Sequence, residues 1–132
     1  MKHAELTSRI IQVFYQVYNE LGYGFLEKVY QNALFYALQQ EGIKVEAHRK
    51  ILVRFRGVIV GEYISDIVAD STVIIEVKAA ESLTAAHEFQ LINYLKCSEM
   101  EVGLLLNFGK SPEFKRKIFE KGVRTSSVAE GS

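Results

Sequence analysis

A chain of 132 residues with 48% hydrophobic content has enough apolar material for one domain with a core. Its 16 basic and 16 acidic side chains cancel, which excludes a global basic field that would bind nucleic acid by net charge alone. The lone cysteine, Cys97, excludes an internal disulfide, and without a signal-peptide core or an apolar run near the ~18 residues of a membrane span the expected setting is cytoplasmic.

Residues 4–21 place Leu6, Ile10, Val13, Phe14, Val17 and Leu21 at helical spacing. Gly22-Tyr23-Gly24 interrupts. A second helical stripe then runs through Leu26, Val29, Tyr30, Ala33, Leu34, Ala37 and Leu38 to a stop at Gly42. At about 100° per residue Glu27 falls on the flank of that stripe, beside Tyr30 and Leu34. A carboxylate in a first helical turn can also do no more than favour the helix dipole.

From Ile43 to Val60 apolar and polar residues alternate loosely, with Gly57 as a turn. This predicts an antiparallel hairpin with one solvated face, where Arg49, Lys50, Arg54 and Arg56 sit. The hairpin feeds the stretch from Tyr63 to Lys78, two β-branched runs separated by Asp70-Ser71-Thr72. Glu76 and Lys78 project together, opposite Ile75 and Val77, and Asp66 shares a face with Ile64 and Val68. A three-residue loop at 70–72 sets Asp66 directly across from Glu76; a two-residue loop at 71–72 sets Asp66 against Val77 and leaves the carboxylates diagonal. Two carboxylates and an ammonium among Ile, Val and Ala need a partner or a use. One outcome is an ion pair of Lys78 with Asp66 or Glu76. The other is a divalent-cation site with two hard oxygen ligands and a lysine beside it.

Val73–Ala79, the most apolar run, is the expected central strand. Ser82 or Thr84 can cap a helix to about Ser98. On it Ala86, Gln90, Asn93, Tyr94 and Cys97 form one stripe, and Phe89, Ile92 and Leu95 lie away from it. Gln90 and Tyr94, one turn apart, reach the same neighbour. Val102–Phe108 reads as a buried strand parallel to Val73–Ala79, because a helix crosses between them. Residues 112–121 fit either a helix or an edge strand. Lys110, Lys115, Arg116, Lys117, Lys121 and Arg124 make the densest basic patch, and 123–132 reads as a frayed tail after one domain over 1–122.

Asp66, then Glu76-x-Lys78, then Gln90-x-x-x-Tyr94, in the order helix, helix, β-meander, helix, strand, resembles the PD-(D/E)XK nuclease superfamily. Gly24-x-x-Glu27-x-x-Tyr30 after Leu21-Gly22 resembles the signature of small prokaryotic GxxExxY proteins, which are placed in that superfamily. The Glu-Val-Lys-Ala, Gln-Leu-Ile-Asn-Tyr-Leu-Lys and Gly-Leu-Leu-Leu-Asn-Phe segments are similar to blocks of the same group. One departure is Ser65, where proline commonly precedes the aspartate. The resemblance implies an α/β fold with a restriction-endonuclease-like αβββαβ core, a mixed sheet flanked by helices. It implies Mg²⁺- or Mn²⁺-dependent phosphodiester hydrolysis of DNA or RNA. Asp66, Glu76 and the Val77 carbonyl would hold the cation, with Glu27 ligating directly or through water. Lys78 would orient or deprotonate the attacking water. Gln90, Tyr94 and Tyr30 would orient Lys78 or the substrate phosphate. His87, one turn before Gln90, would either join the site or cap its helix.

Two rival functions share this fold. A silent nucleic-acid-binding module is disfavoured because uncompensated carboxylates repel phosphate. An oligomerising interaction module, such as a homodimer, is motivated by Phe35 and Tyr36, which fall off the second helical stripe.

Overall fold

The computed structural model describes residues 3–121, with three helices and seven strands among them. Helix α1 (Ala4–Leu21) buries Ile10, Val13, Phe14 and Val17 along one stripe, and α2 (Glu27–Gln40) buries Tyr30, Leu34 and Leu38. Both stripes pack on one face of a five-stranded mixed sheet in the order β1-β4-β5-β6-β7. Its strands are β1 (Val45–Ala47), β4 (Ile67–Ala69), β5 (Val73–Lys78), β6 (Val102–Phe108) and β7 (Pro112–Ile118). β5 and β6 pair in parallel, as the intervening helix requires, and the other neighbours pair antiparallel.

The strand period of two divides the core. Val73, Ile75, Val77, Leu104 and Leu106 face α1 and α2, whereas Val68, Ile74 and Leu105 face helix α3 (Ala85–Cys97). This second face is the one that matters for chemistry, since Glu76 and Lys78 follow Ile74 along it.

Several expectations change in detail. The Ile43–Val60 segment is not one hairpin feeding the Asp66 strand. Residues 45–47 join the main sheet beside β4, while β2 (Lys50–Phe55) and β3 (Val58–Ile64) form a separate two-stranded sheet. Both chains change sheet at one place: His48 takes a left-handed conformation at φ 58°, and buried Ser65 donates its N–H to the Arg49 carbonyl at 2.9 Å. β3 therefore ends at Ile64, and Asp66 stands in the step before β4.

On α3 the buried stripe is Leu91, Tyr94 and Leu95, with Gln90 and Asn93 exposed. Leu91 sets that rotation by lying over Gly103, where an added Cβ would come within 2.7 Å of its Cδ1. Phe35 packs against the core and does not mark a contact surface, while Tyr36 stays exposed. Leu26 and Val29 leave the α2 stripe and face solvent. Residues 112–118 are an edge strand, not a helix. Residues 123–132 and Arg124 lie outside the described residues.

Candidate active site

The β4–β5 pairing runs Ile67 to Ile75, Val68 to Ile74 and Ala69 to Val73, the register of a three-residue loop. Asp70 and Ser71 hold that loop with left-handed φ of 53° and 54°, and Thr72 N–H closes it on the Ala69 carbonyl at 3.0 Å. Continued by one residue, this register brings Asp66 and Glu76 together on the α3 side of the sheet. They are locked reciprocally. The Asp66 N–H donates to Glu76 Oε2 at 3.0 Å, and the Val77 N–H donates to Asp66 Oδ2 at 2.8 Å. Each carboxylate thus occupies a ladder position that a backbone carbonyl would otherwise take, and each keeps a second oxygen.

Glu76 is 4% exposed, and burial first, then the neighbouring Asp66 charge, pushes its carboxyl up to about 8. The Asp66 carboxyl is also raised, chiefly by burial, with the Val77 N–H pulling it back and Glu27 adding to the rise. A pair that resists carrying two negative charges is the electrostatic signature of a place suited to a cation.

Lys78 does not ion-pair with either carboxylate. Its ammonium donates to Gln90 Oε1 at 3.3 Å on the facing helix. Tyr94 is 6% exposed and packs its ring 4.7 Å from that of Tyr63. Burial, then the charge of Glu76, pushes its hydroxyl up to about 12, so it remains a protonated donor.

Glu27 is exposed in the first turn of α2, near enough that its charge raises both Asp66 and Glu76. It stands apart from them in this conformation: among the described residues no three His, Cys, Asp or Glu side chains gather into a cation cage. The donors present still suit a hard divalent ion, being two adjacent carboxylates with spare oxygens beside the strand backbone.

Tyr30 does not reach this face. It is fully buried and stacked on Phe108 at 4.4 Å, and its hydroxyl donates to the Gly22 carbonyl at 2.6 Å. It holds the loop that leads into Glu27, so its expected contact with substrate is corrected to support of that loop. His87 is the cap partner of α3: Thr84 N–H donates to His87 Nδ1 at 3.1 Å, and His87 N–H donates to Thr84 Oγ1 at 3.3 Å. In the basic patch, Lys117 is engaged by Glu88 and Lys121 by the Leu95 carbonyl, while Lys110 and Lys115 are exposed.

Two contributors escaped the sequence reading. Asn107, 1% exposed, accepts from Ala80 N–H at 2.9 Å and donates to the Ala80 carbonyl at 3.0 Å. That clasp fixes the chain just beyond Lys78. An asparagine in a strand gives no sign of which backbone it will grip. His48, whose charge pulls the Asp66 carboxyl down, shares a hydrogen bond of 3.2 Å between its Nε2 and Lys28 Nζ. It escaped because the step between sheets that brings it alongside Asp66 was not foreseen.

A mixed sheet between two helical layers, with Asp66 in the step before β4 and Glu76-x-Lys78 on the neighbouring β5, defines a restriction-endonuclease-like α/β protein. The chain belongs to the PD-(D/E)XK nuclease superfamily, which it matches over residues 4–118. Among solved structures it is similar to that titled "Crystal structure of SSO0001", with a TM-score of 0.55 and 20% identity over 78% of this chain. The chain spans 55% of that protein's length, and the likeness is one of fold. A looser one, at TM-score 0.46 and 11% identity, is to an alkaline exonuclease (LHK-Exo) from Laribacter hongkongensis, covering 98% of this chain and 77% of that one. No curated protein matches the chain. Superfamily members generally use divalent metal ions.

Proposed function

We propose that the protein hydrolyses phosphodiester bonds in DNA or RNA with Mg²⁺ or Mn²⁺. The observation that carries this reading is the reciprocal Asp66–Glu76 pair, whose Glu76 carboxyl is pushed up to about 8 beside a Lys78 ammonium held by Gln90. Asp66, Glu76 and the Val77 carbonyl would hold the cation, with Glu27 joining through rotation or a bridging water. When bound, such an ion lowers the pKa of a water and offsets charge building on the phosphate. Lys78, positioned by Gln90, would orient the attacking water as an ammonium, or deprotonate it from the neutral amine form. Gln90 and the protonated Tyr94 hydroxyl donate to phosphate oxygens. Thr84 and His87 keep α3, and hence Gln90, in place. Gly24-x-x-Glu27-x-x-Tyr30 supports assignment to the prokaryotic GxxExxY group within the superfamily.

Purified protein with Mn²⁺ or Mg²⁺ should cut at least one substrate in a labelled panel of single- and double-stranded DNA and RNA. Asp66→Ala or added EDTA should abolish the cut. Binding without cleavage under every metal condition would instead support the silent binding module.

A second reading, a homodimer, is favoured by β3. Val58, Ile59, Val60 and Ile64 are each more than half exposed, on a strand that pairs with β2 alone among the described residues. Light scattering across a wide concentration range tests it, and a strict monomer removes it.

A further inference from the structure

The five residues before Glu27 break the ordinary rules for a loop that opens a helix. Ser, Thr, Asp or Asn normally caps the first turn. The N-cap of α2 is Leu26, which offers no side-chain hydrogen bond and is 79% exposed. Tyr23 and Phe25 are 56% and 49% exposed, so three large apolar side chains crowd four positions on the surface. Where local propensity and burial both fail together, a functional cause is the usual one.

The loop is nevertheless rigidly built. Gly22 and Gly24 take φ of 74° and 117°, conformations that side-chain-bearing residues rarely adopt. The buried Tyr30 hydroxyl donates to the Gly22 carbonyl at 2.6 Å and accepts from Phe25 N–H at 3.1 Å. The Phe25 ring stands edge-on to Tyr30, 6.0 Å away. A core side chain therefore presents this apolar tip in one fixed posture.

Its surroundings say what the tip meets. The next residue, Glu27, is within electrostatic reach of Asp66 and Glu76. One residue further, Lys28 hydrogen-bonds His48 at 3.2 Å, and both are exposed. The pair offers N–H donors and positive charge beside the acidic pair, since His48 acts electrostatically on Asp66. Flat aromatic and apolar surface beside cationic donors matches a nucleotide: the face of a base and the phosphate next to it. In a duplex those faces are already stacked on neighbours, so only an unpaired base can use the loop.

We propose that residues 22–26 and the Lys28–His48 pair form a lip that grips single-stranded nucleic acid at the mouth of the site, with Tyr23, Phe25 and Leu26 stacking an unpaired base and Lys28 with His48 holding the adjoining phosphate. This rests on the phosphodiesterase reading and narrows its substrate to single strands or frayed ends.

The test measures binding and turnover separately. In EDTA, anisotropy of labelled poly(dT) and of a blunt hairpin duplex should show tighter binding of the single strand. The variant combining Tyr23→Ala, Phe25→Ala and Leu26→Ala should lose about tenfold or more on poly(dT) and little on the duplex. The three side chains are about half exposed or more, so unchanged circular dichroism should accompany that loss. Lys28→Ala with His48→Ala should weaken both ligands and make the salt slope shallower by about one. Because the chain has no tryptophan, Leu26→Trp adds an independent signal, which poly(dT) should quench and the duplex should not. Wild-type affinity in the triple alanine variant, equal quenching by both ligands, or no poly(dT) binding by wild type would each overturn the lip. So would a loop-dependent dimer seen by light scattering, since a second copy would then be the occupant. Metal-dependent cleavage that ignores the loop overturns the lip and leaves the nuclease reading intact. Loop-dependent single-strand binding with no cleavage supports the lip and sinks the nuclease reading.

Discussion

Val58-Ile59-Val60 on β3 and Val73-Ile74-Ile75 on β5 are nearly the same tripeptide, yet they have opposite fates. The first is 63%, 52% and 61% exposed; the second is fully buried. Strand propensity is equal in the two, so it did not decide. What differs is cover. β5 lies between β4 and β6, with α1 and α2 on one face and α3 on the other. β3 has β2 along one edge and, among the described residues, belongs to no larger sheet. Burial on β5 supplies the low dielectric that raises Glu76 and Asp66. Openness on β3 leaves a surface free for partners. One stretch of sheet makes the electrostatics, and the other stays available.

The largest test of this contrast is Glu76. A carboxyl raised in the folded state to about 8 from its ordinary 4.5 makes the folded protein bind more protons than the unfolded chain between those pH values. Metal-free stability should therefore be full at low pH and fall as pH climbs from about 4.5 towards 8. At ~1.4 kcal/mol per pKa unit the loss amounts to several kcal/mol. Glu76→Gln should flatten most of that slope and leave the protein at least as stable near pH 8 in EDTA. It should also abolish the stabilisation of about 2.7 kcal/mol expected of wild type at one hundred times the metal dissociation constant. Denaturant melts with EDTA and with Mn²⁺ across pH decide it; a variant destabilised in EDTA would make Glu76 a structural residue.

Next in size is the paired truncation. Ile75→Ala removes buried methyl groups and should cost about 2–5 kcal/mol. Ile59→Ala, the same change on β3, should stay within about 0.5 kcal/mol. Equal losses in urea melts would mean that β3 is covered in solution, as a homodimer requires.

Asn107→Ala should cost about 1–3 kcal/mol, because both polar groups of the Ala80 backbone lose their partner. If the clasp positions Lys78, kcat should fall in addition, with KM little changed. Replacing Asn107 cannot disturb β3, so hydrogen exchange should quicken around residues 78–80 and not at 58–64.

The smallest effect is a charge on the open strand. Val60→Lys should alter monomer stability by no more than about 0.5 kcal/mol, while abolishing any self-association through β3 seen by light scattering.

Much of this could be read in the chain. The three-residue loop at 70–72, one of two alternatives the chain offered for the Asp66–Glu76 register, is the one adopted, and the crossing helix predicted the parallel β5–β6 pair. Three things were not legible. The step between sheets at His48 and Ser65 depends on a tertiary hydrogen bond, and no local pattern marks it. The rotation of α3 is set by Leu91 meeting Gly103 on another element. Tyr30 fits the helical stripe whether its hydroxyl faces substrate or the Gly22 carbonyl, so only the packed structure separates those roles.

The reciprocal lock of the acidic pair has a consequence for spectroscopy. The amide protons of Asp66 and Val77 end on side-chain carboxylates, so their exchange rates and ¹⁵N–¹H shifts follow carboxylate position and not strand pairing. Any ion that draws Glu76 aside frees the Asp66 amide, and any that draws Asp66 aside frees that of Val77. Two cross-peaks, titrated with Mg²⁺, therefore give a residue-resolved occupancy gauge that works in a protein cutting nothing at all.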